Sequence, residues 1–377
     1  MNKIKRIRAK KSLLIVVLIV SLALSACSVT RGWPGPMIVG DTLYVGSLAG
    51  QVIALDPTTG VRKWNWSPET EQSGGFLSCA AAGQLSAGKM YGTPVVANDL
   101  VYIGAYDGKV YAITVENGMN RWKQDLESPI VGGVAVDENA VFVGTSEGKF
   151  YALNAESGVI KWEYPRGEEI GKIWTTPTVA DGVVYFGSLD HKLYALDVGT
   201  GEPVWDQPFE AAGAIVTPPL VVDGLVYVGS FDSNFYAVSA DSGEQKWVFE
   251  EASNWYWARA LYYNDTVYAA SLDNNVYALD AKSGTQAWNE PLKTGSPVRS
   301  SPVVAGGILV VASEEGKVYW RDAETGVTKW APSVVDAKIF SDLSTDGSVV
   351  YVTTEEDKLY TLDSGSGGML RVDSLAK

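Results

Sequence analysis

Residues 184–205 read VYFGSLDHKLYALDVGTGEPVW, residues 226–247 VYVGSFDSNFYAVSADSGEQKW and residues 267–288 VYAASLDNNVYALDAKSGTQAW. The same segment recurs at 43–64, 101–122, 141–162 and 309–330, and an eighth copy at 350–371 lacks the final Trp. Seven copies end in Trp64, Trp122, Trp162, Trp205, Trp247, Trp288 and Trp330, spaced by 58, 40, 43, 42, 41 and 42 residues. Self-similarity at about 40 residues marks a ring or array of supersecondary units, each too small to bury its own apolar faces.

Inside one unit, four short apolar stretches alternate with turn residues. Leu220-Val221-Val222, Asp223-Gly224, Val226 to Gly229, Asp232-Ser233, Phe235 to Val238, Ser242-Gly243 and Trp247-Val248-Phe249 show the pattern. This is a four-stranded antiparallel meander. Eight such units predict an all-β, eight-bladed β-propeller over residues 33–377,. A linear stack would leave two apolar end faces exposed, and ring closure removes both.

The long first spacing holds an insertion at 67–90, rich in Gly, Ser and Ala, which reads as a surface excursion between two regular units,. Within the repeat, Ala54-Leu55-Asp56-Pro57-Thr58-Thr59-Gly60-Val61-Arg62-Lys63-Trp64 completes the pattern Ala-x-Asp-x-x-Thr-Gly-x-x-x-Trp. This pattern resembles the tryptophan-docking motif of pyrroloquinoline-quinone (PQQ)-type propellers. The Gly suits the turn before the fourth strand, and the Ala is expected to leave room for a neighbouring blade's indole. The seven repeated tryptophans therefore read as packing residues rather than ligand platforms.

The chain is 377 residues long, 46% hydrophobic and 20% charged, which excludes a disordered protein,. With 39 Gly, 19 Tyr and 13 Trp but one His and two Cys, it cannot assemble a Cys/His zinc cluster or a multi-disulfide framework,. No metal site is expected. The formal charge is −14. Without the six basic residues of the first 26, the remaining 24 basic residues face 44 acidic ones, a formal charge of −20. A body that acidic repels phosphate backbones, so no nucleic acid partner is expected.

Residues 1–26 read as a signal peptide: a basic start, the apolar run Leu13 to Leu24, then small residues,. Leu24-Ser25-Ala26-Cys27 resembles the bacterial lipobox, which implies a lipoprotein acylated at Cys27, with 27–32 as a short tether. Ser28 is compatible with sorting to an outer membrane. Cys79 is left as an unpaired thiol, read as a buried, inert side chain.

The repeat resembles the BamB family of outer-membrane assembly factors, which implies a non-enzymatic, cell-envelope binding scaffold whose expected partner is a protein such as a β-barrel assembly insertase. The alternatives are a ligand-binding or sensor propeller lipoprotein of a single-membrane bacterium, and a PQQ-dependent quinoprotein dehydrogenase. The last carries a vicinal Cys pair and calcium ligands that are not legible here, so PQQ is not expected as a cofactor and no catalytic residue is assigned.

For partner binding, the segments leading into each innermost strand vary most between units. Trp174, Trp255, Tyr256, Trp257, Arg259 and Arg299 are the candidate hot spots, because aromatic residues and Arg dominate binding energies. The competing reading plugs these aromatics into the bore or packs them between blades. The turns between second and third strands carry Asp107, Glu147, Asp190, Asp232, Asp273, Glu314, Glu315, Glu355 and Glu356, either as ordinary turn formers or as an acidic ring at one mouth,. A monomeric propeller is expected.

Overall fold

The computed structural model describes residues 34–68, 89–167 and 169–376. The signal peptide 1–26, Cys27, the tether 27–32, Cys79 and most of the 67–90 insertion lie outside the described residues. Eight four-stranded antiparallel sheets are present, and among the described residues there is no helix. The fifth blade, for example, comprises Leu220–Val222, Leu225–Gly229, Phe235–Ser239 and Gln245–Phe249. Asp223 and Gly224, with φ of 50° and 75°, close its first hairpin in the left-handed conformation that matches strand twist,. The second and third strands of each blade are buried on both faces because a sheet stacks on either side of them, so they read as continuous apolar runs,.

The innermost strands line the bore, and that of the last blade packs against Pro36–Val39 of the first, which closes the ring. Each terminal blade is built from its own continuous segment, 36–66 and 344–374, with no strand exchanged between them.

Neighbouring blades are joined by the repeated indoles. Each of the seven donates its Nε1–H to a backbone carbonyl in the turn before the outermost strand of the next blade, at 2.7 to 3.2 Å. The ring lies on that turn's glycine. A Cβ on Gly243 would stand 2.8 Å from Trp205 Cδ2, and its φ of +74° is also one that side chains resist,. This corrects the role expected for the Ala. Ala54, Ala112, Ala152 and Ala237 pair across the sheet with the Trp of their own blade, and the space for the neighbour's indole is made by the Gly.

The motif Asp stiffens the same turn. Asp56 Oδ1 accepts from the backbone N–H of Thr58 and Thr59 and from the Thr59 hydroxyl. Such bonds hold the carboxyls of Asp56, Asp197 and Asp280 below the ordinary range,. At Asp322 the Lys329 ammonium contributes first and Thr325 next, which brings that carboxyl down to about 2.

The junction of the eighth blade with the first differs in kind. Arg371 stands where the indole is missing, and its Nη2 donates to Pro57 O at 3.1 Å, the carbonyl three residues before Gly60. Most indoles donate to that same position relative to the turn glycine, as Trp247 does to Ala281 O, three before Gly284. Arg371 also donates to Thr58 O and pairs with Asp373 at 2.6 Å. Arg62 reaches back to the carbonyls of Ser374 and Leu375. The apolar cluster at this seam, Leu43, Val45, Ile53, Leu55, Tyr351, Leu359 and Leu375, contains no tryptophan. The closure is thus a polar latch in a ring otherwise held by indoles. Arg371→Ala is expected to cost about 2 kcal/mol in urea unfolding at low salt, the value of a charge-assisted hydrogen-bond set. The deficit should shrink at about 1 M NaCl, where the wild-type latch is itself screened.

Candidate functional site

The segments that lead into the innermost strands all lie on one face, threaded between the second-to-third-strand turns of adjacent blades. Ile215 N–H donates to Ser188 O at 3.1 Å and Phe231 N–H to Ala214 O at 2.9 Å, so each segment is tied to the blade before it and to its own. One residue per segment is the anchor: Met90, Ile130, Ile173, Ile215, Tyr256, Val298 and Ile339 are all buried. The residue after each anchor, and the one two further on, face the bore. Trp174 and Thr176, Trp257 and Arg259, Arg299 and Ser301, and Phe340 and Asp342 line a cavity of about 170 Å³ at its mouth.

The six candidate residues accordingly divide. Tyr256 is 1% exposed, packed on Phe235 at 5.3 Å, and its burial holds the phenol well above its ordinary pKa. The expectation that it touches a partner is therefore corrected: it is core, as its neighbours in the repeat alignment are apolar at that position. Trp255 is 46% exposed and stacks on Phe231 with centroids 4.4 Å apart. Trp257 also stacks with Phe231, at 6.0 Å, and receives the Arg299 guanidinium over its ring at 5.7 Å. Arg299 pairs with Glu314 at 3.2 Å, Glu314 with Lys338 at 3.3 Å, and Lys338 covers the Phe340 ring at 5.8 Å. Trp174 is half-buried on the cavity wall, and its Nε1–H is buried without an acceptor among the described residues.

Phe231, Lys338 and Phe340, together with Glu314 of the acidic turns, extend the band beyond the six partner-binding candidates. Lys338-Ile339-Phe340 stands at the same repeat offset as Trp255-Tyr256-Trp257, and that alignment is the signal that finds it.

Arg259 keeps contact with water through the bore, yet the blades crowd it, and this desolvation lowers its guanidinium pKa against the opposing charge of Asp342,. It stays protonated, as guanidinium does in proteins.

The acidic turns act as turn formers and fasteners. Asp190 accepts from Tyr194 Oη at 2.7 Å and from the backbone N–H of Lys192 and Gly171, and Asp232 and Asp273 repeat the arrangement with Tyr236 and Tyr277. His191 is an exposed turn residue at φ 74°.

Among the described residues no three His, Cys, Asp or Glu side chains are grouped to hold a metal ion. Asp342 is the one described carboxylate on the cavity wall, and Ser301 N–H occupies its Oδ1 at 2.9 Å. The cavity is also below the roughly 300–1,000 Å³ of sites for drug-sized ligands. The bore mouth as described thus offers one carboxylate, already bonded to a backbone N–H, beside about 170 Å³ of space.

A family model described as outer membrane protein assembly factor BamB matches residues 23–108, 70–207, 171–301 and 272–370, nearly the whole chain. The chain belongs to the BamB family. Among curated relatives, BamB of Xanthomonas campestris is 26% identical over 96 residues, which are 26% of this chain and 22% of that protein. The quinohemoprotein alcohol dehydrogenase of Comamonas testosteroni is 31% identical over 97 residues, 26% of this chain and 13% of that protein. The chain therefore spans less than a quarter of the length of either. The crystal structure of BamB from Moraxella catarrhalis superposes with a TM-score of 0.67 at 21% identity, covering 85% of this chain and 90% of that one, a likeness of fold.

Within this BamB-family face, Trp255 and Tyr256 are adjacent residues with opposite surroundings. Trp255→Ala is expected to leave the thermal midpoint within about 2 °C of wild type, as for other exposed sites. Tyr256→Ala should cost about 3–5 kcal/mol, as for other buried aromatics. Differential scanning calorimetry of the two variants checks the division.

Proposed function

We propose that this chain is a non-enzymatic scaffold of the cell envelope, monomeric, which docks through its lead-in face on a protein of the outer-membrane β-barrel assembly machinery. The observation that carries the reading is the continuous band Trp255, Phe231, Trp257, Arg299, Glu314, Lys338 and Phe340 across four neighbouring blades. Stacked aromatics and cations already fixed in place lose little side-chain entropy on binding, which is how hot spots concentrate affinity. The names of the BamB relatives, outer membrane protein assembly factors, support the choice of partner.

Affinity capture of the full chain from its own envelope should bring down the β-barrel insertase, and Trp255→Ala should weaken the interaction about tenfold, equivalent to 1.4 kcal/mol. Undiminished capture by that variant would remove the band from the interface. PQQ- and calcium-dependent reduction of an artificial dye by the purified chain would overturn the scaffold reading.

The same proposal holds the body to the membrane through acylated Cys27, on the periplasmic side of the outer membrane in a two-membrane host and on the outer face of the cell membrane in a single-membrane one. Cys27→Ser should move the protein from the membrane pellet to the soluble fraction, since the acyl chains supply the anchoring energy.

A further inference from the structure

The inner ring of the bore mouth is made by the second bore-facing residue of each lead-in segment. Its eight positions include Thr93, Gly133, Thr176, Pro218 and Ser301, and the two charged ones are Arg259 and Asp342. Arg259 belongs to the sixth blade and Asp342 to the eighth, with Ser301 of the seventh between them. Ser301 accepts the backbone N–H of Arg259 at 3.1 Å and gives its own N–H to Asp342 Oδ1 at 2.9 Å. The Asp342 carboxylate is thereby held to the wall, and the Arg259 guanidinium forms no ion pair or side-chain hydrogen bond among the described residues. Arg299, the other cation at the mouth, is committed to Glu314.

The Arg259 guanidinium is an exposed cation at the bore mouth without an ion-pair partner among the described residues, in a chain whose formal charge is −14. The space beside it is about 170 Å³, with Trp174, Trp257 and Phe340 on its wall. That combination matches one chemistry: a single anionic head with coplanar acceptor oxygens, on a small apolar body. A planar guanidinium fork is complementary to a carboxylate through two parallel N–H to O bonds, and partial desolvation strengthens them.

We propose that the bore mouth is a carboxylate-binding site in which Arg259 receives the carboxylate and the aromatic wall of Trp174 and Trp257 receives the body attached to it. The carboxylate is either that of a free small acid or that at the end of a peptide chain. Asp342 sets the limit on charge: its fixed negative charge across the ring disfavours a second anionic group. The site shares Trp257 and Phe340 with the band around Trp255, while Arg259 lies outside that band, and it does not rest on the scaffold reading.

The test is a titration of the purified full chain with sodium benzoate at constant ionic strength, read by indole fluorescence and by calorimetry. One saturable site with a Kd of about 1 mM is expected, as suits a ligand of so few atoms. Arg259→Gln should weaken it at least about tenfold, Arg259→Lys, which keeps the charge and loses the fork, should bind with an affinity between wild type and Arg259→Gln, and Asp342→Asn, which keeps the acceptor for Ser301 and removes the opposing charge, should tighten it about threefold. The opposite signs at Arg259 and Asp342 are not produced by a merely structural role, and the thermal midpoint of each variant verifies folding. N-acetyl-triglycine and its C-terminal amide form the second arm. Binding of the peptide acid along with benzoate assigns a chain-end carboxylate, binding of benzoate alone assigns a free one, and each upholds the site. Absence of saturable benzoate binding, equal binding by Arg259→Gln, or equal binding of the amide and the acid would overturn it.

Discussion

Every other feature of this protein depends on an indole lying on a glycine. A four-stranded blade buries its second and third strands only if another blade covers each face, and the contact that fixes the distance and tilt between blades is the Trp of one on the turn glycine of the next. The Nε1–H bond to the turn carbonyl sets orientation, while the ring supplies apolar area worth about 2 kcal/mol or more per residue. The glycine is needed because any Cβ would occupy the ring's place. Seven copies of one contact at near-constant spacing leave the chain little choice but to return on itself.

The eighth junction shows which part of that contact is indispensable. Arg371 supplies the hydrogen bond to the turn carbonyl but not the apolar plate, and the seam compensates with Asp373, Arg62 and the C-terminal carbonyls. Orientation is conserved across all eight junctions, whereas the source of cohesion shifts at the place where the two chain ends meet.

Rigid blades free the lead-in segments for other work. Each is pinned by one buried anchor, so the side chains after it are presented at a fixed radius around the bore and vary without disturbing the sheets. The same framework thus carries a stacked aromatic and ionic band on its rim and an isolated guanidinium within the mouth. The quinoprotein relatives share part of the repeat, and what such a propeller does is decided at these variable positions rather than by the fold,.

Blade number, strand order and the docking tryptophans were legible in the sequence because they rest on local pattern: short apolar runs separated by turn residues within a unit, and a repeat of about 42 residues between units,. The acidic turns were also readable as turns, since an Asp bonds to the backbone two residues on,. What only the tertiary structure decided was the division of labour among neighbours such as Trp255, Tyr256 and Trp257. A lead-in segment alternates between core, bore and rim, and nothing local says which residue takes which direction until two blades grip it from either side. The same holds for charge. That Arg299 is neutralised by Glu314 while Arg259 stands unpaired follows from contacts between different turns and blades, and those distances exist only once the ring has closed.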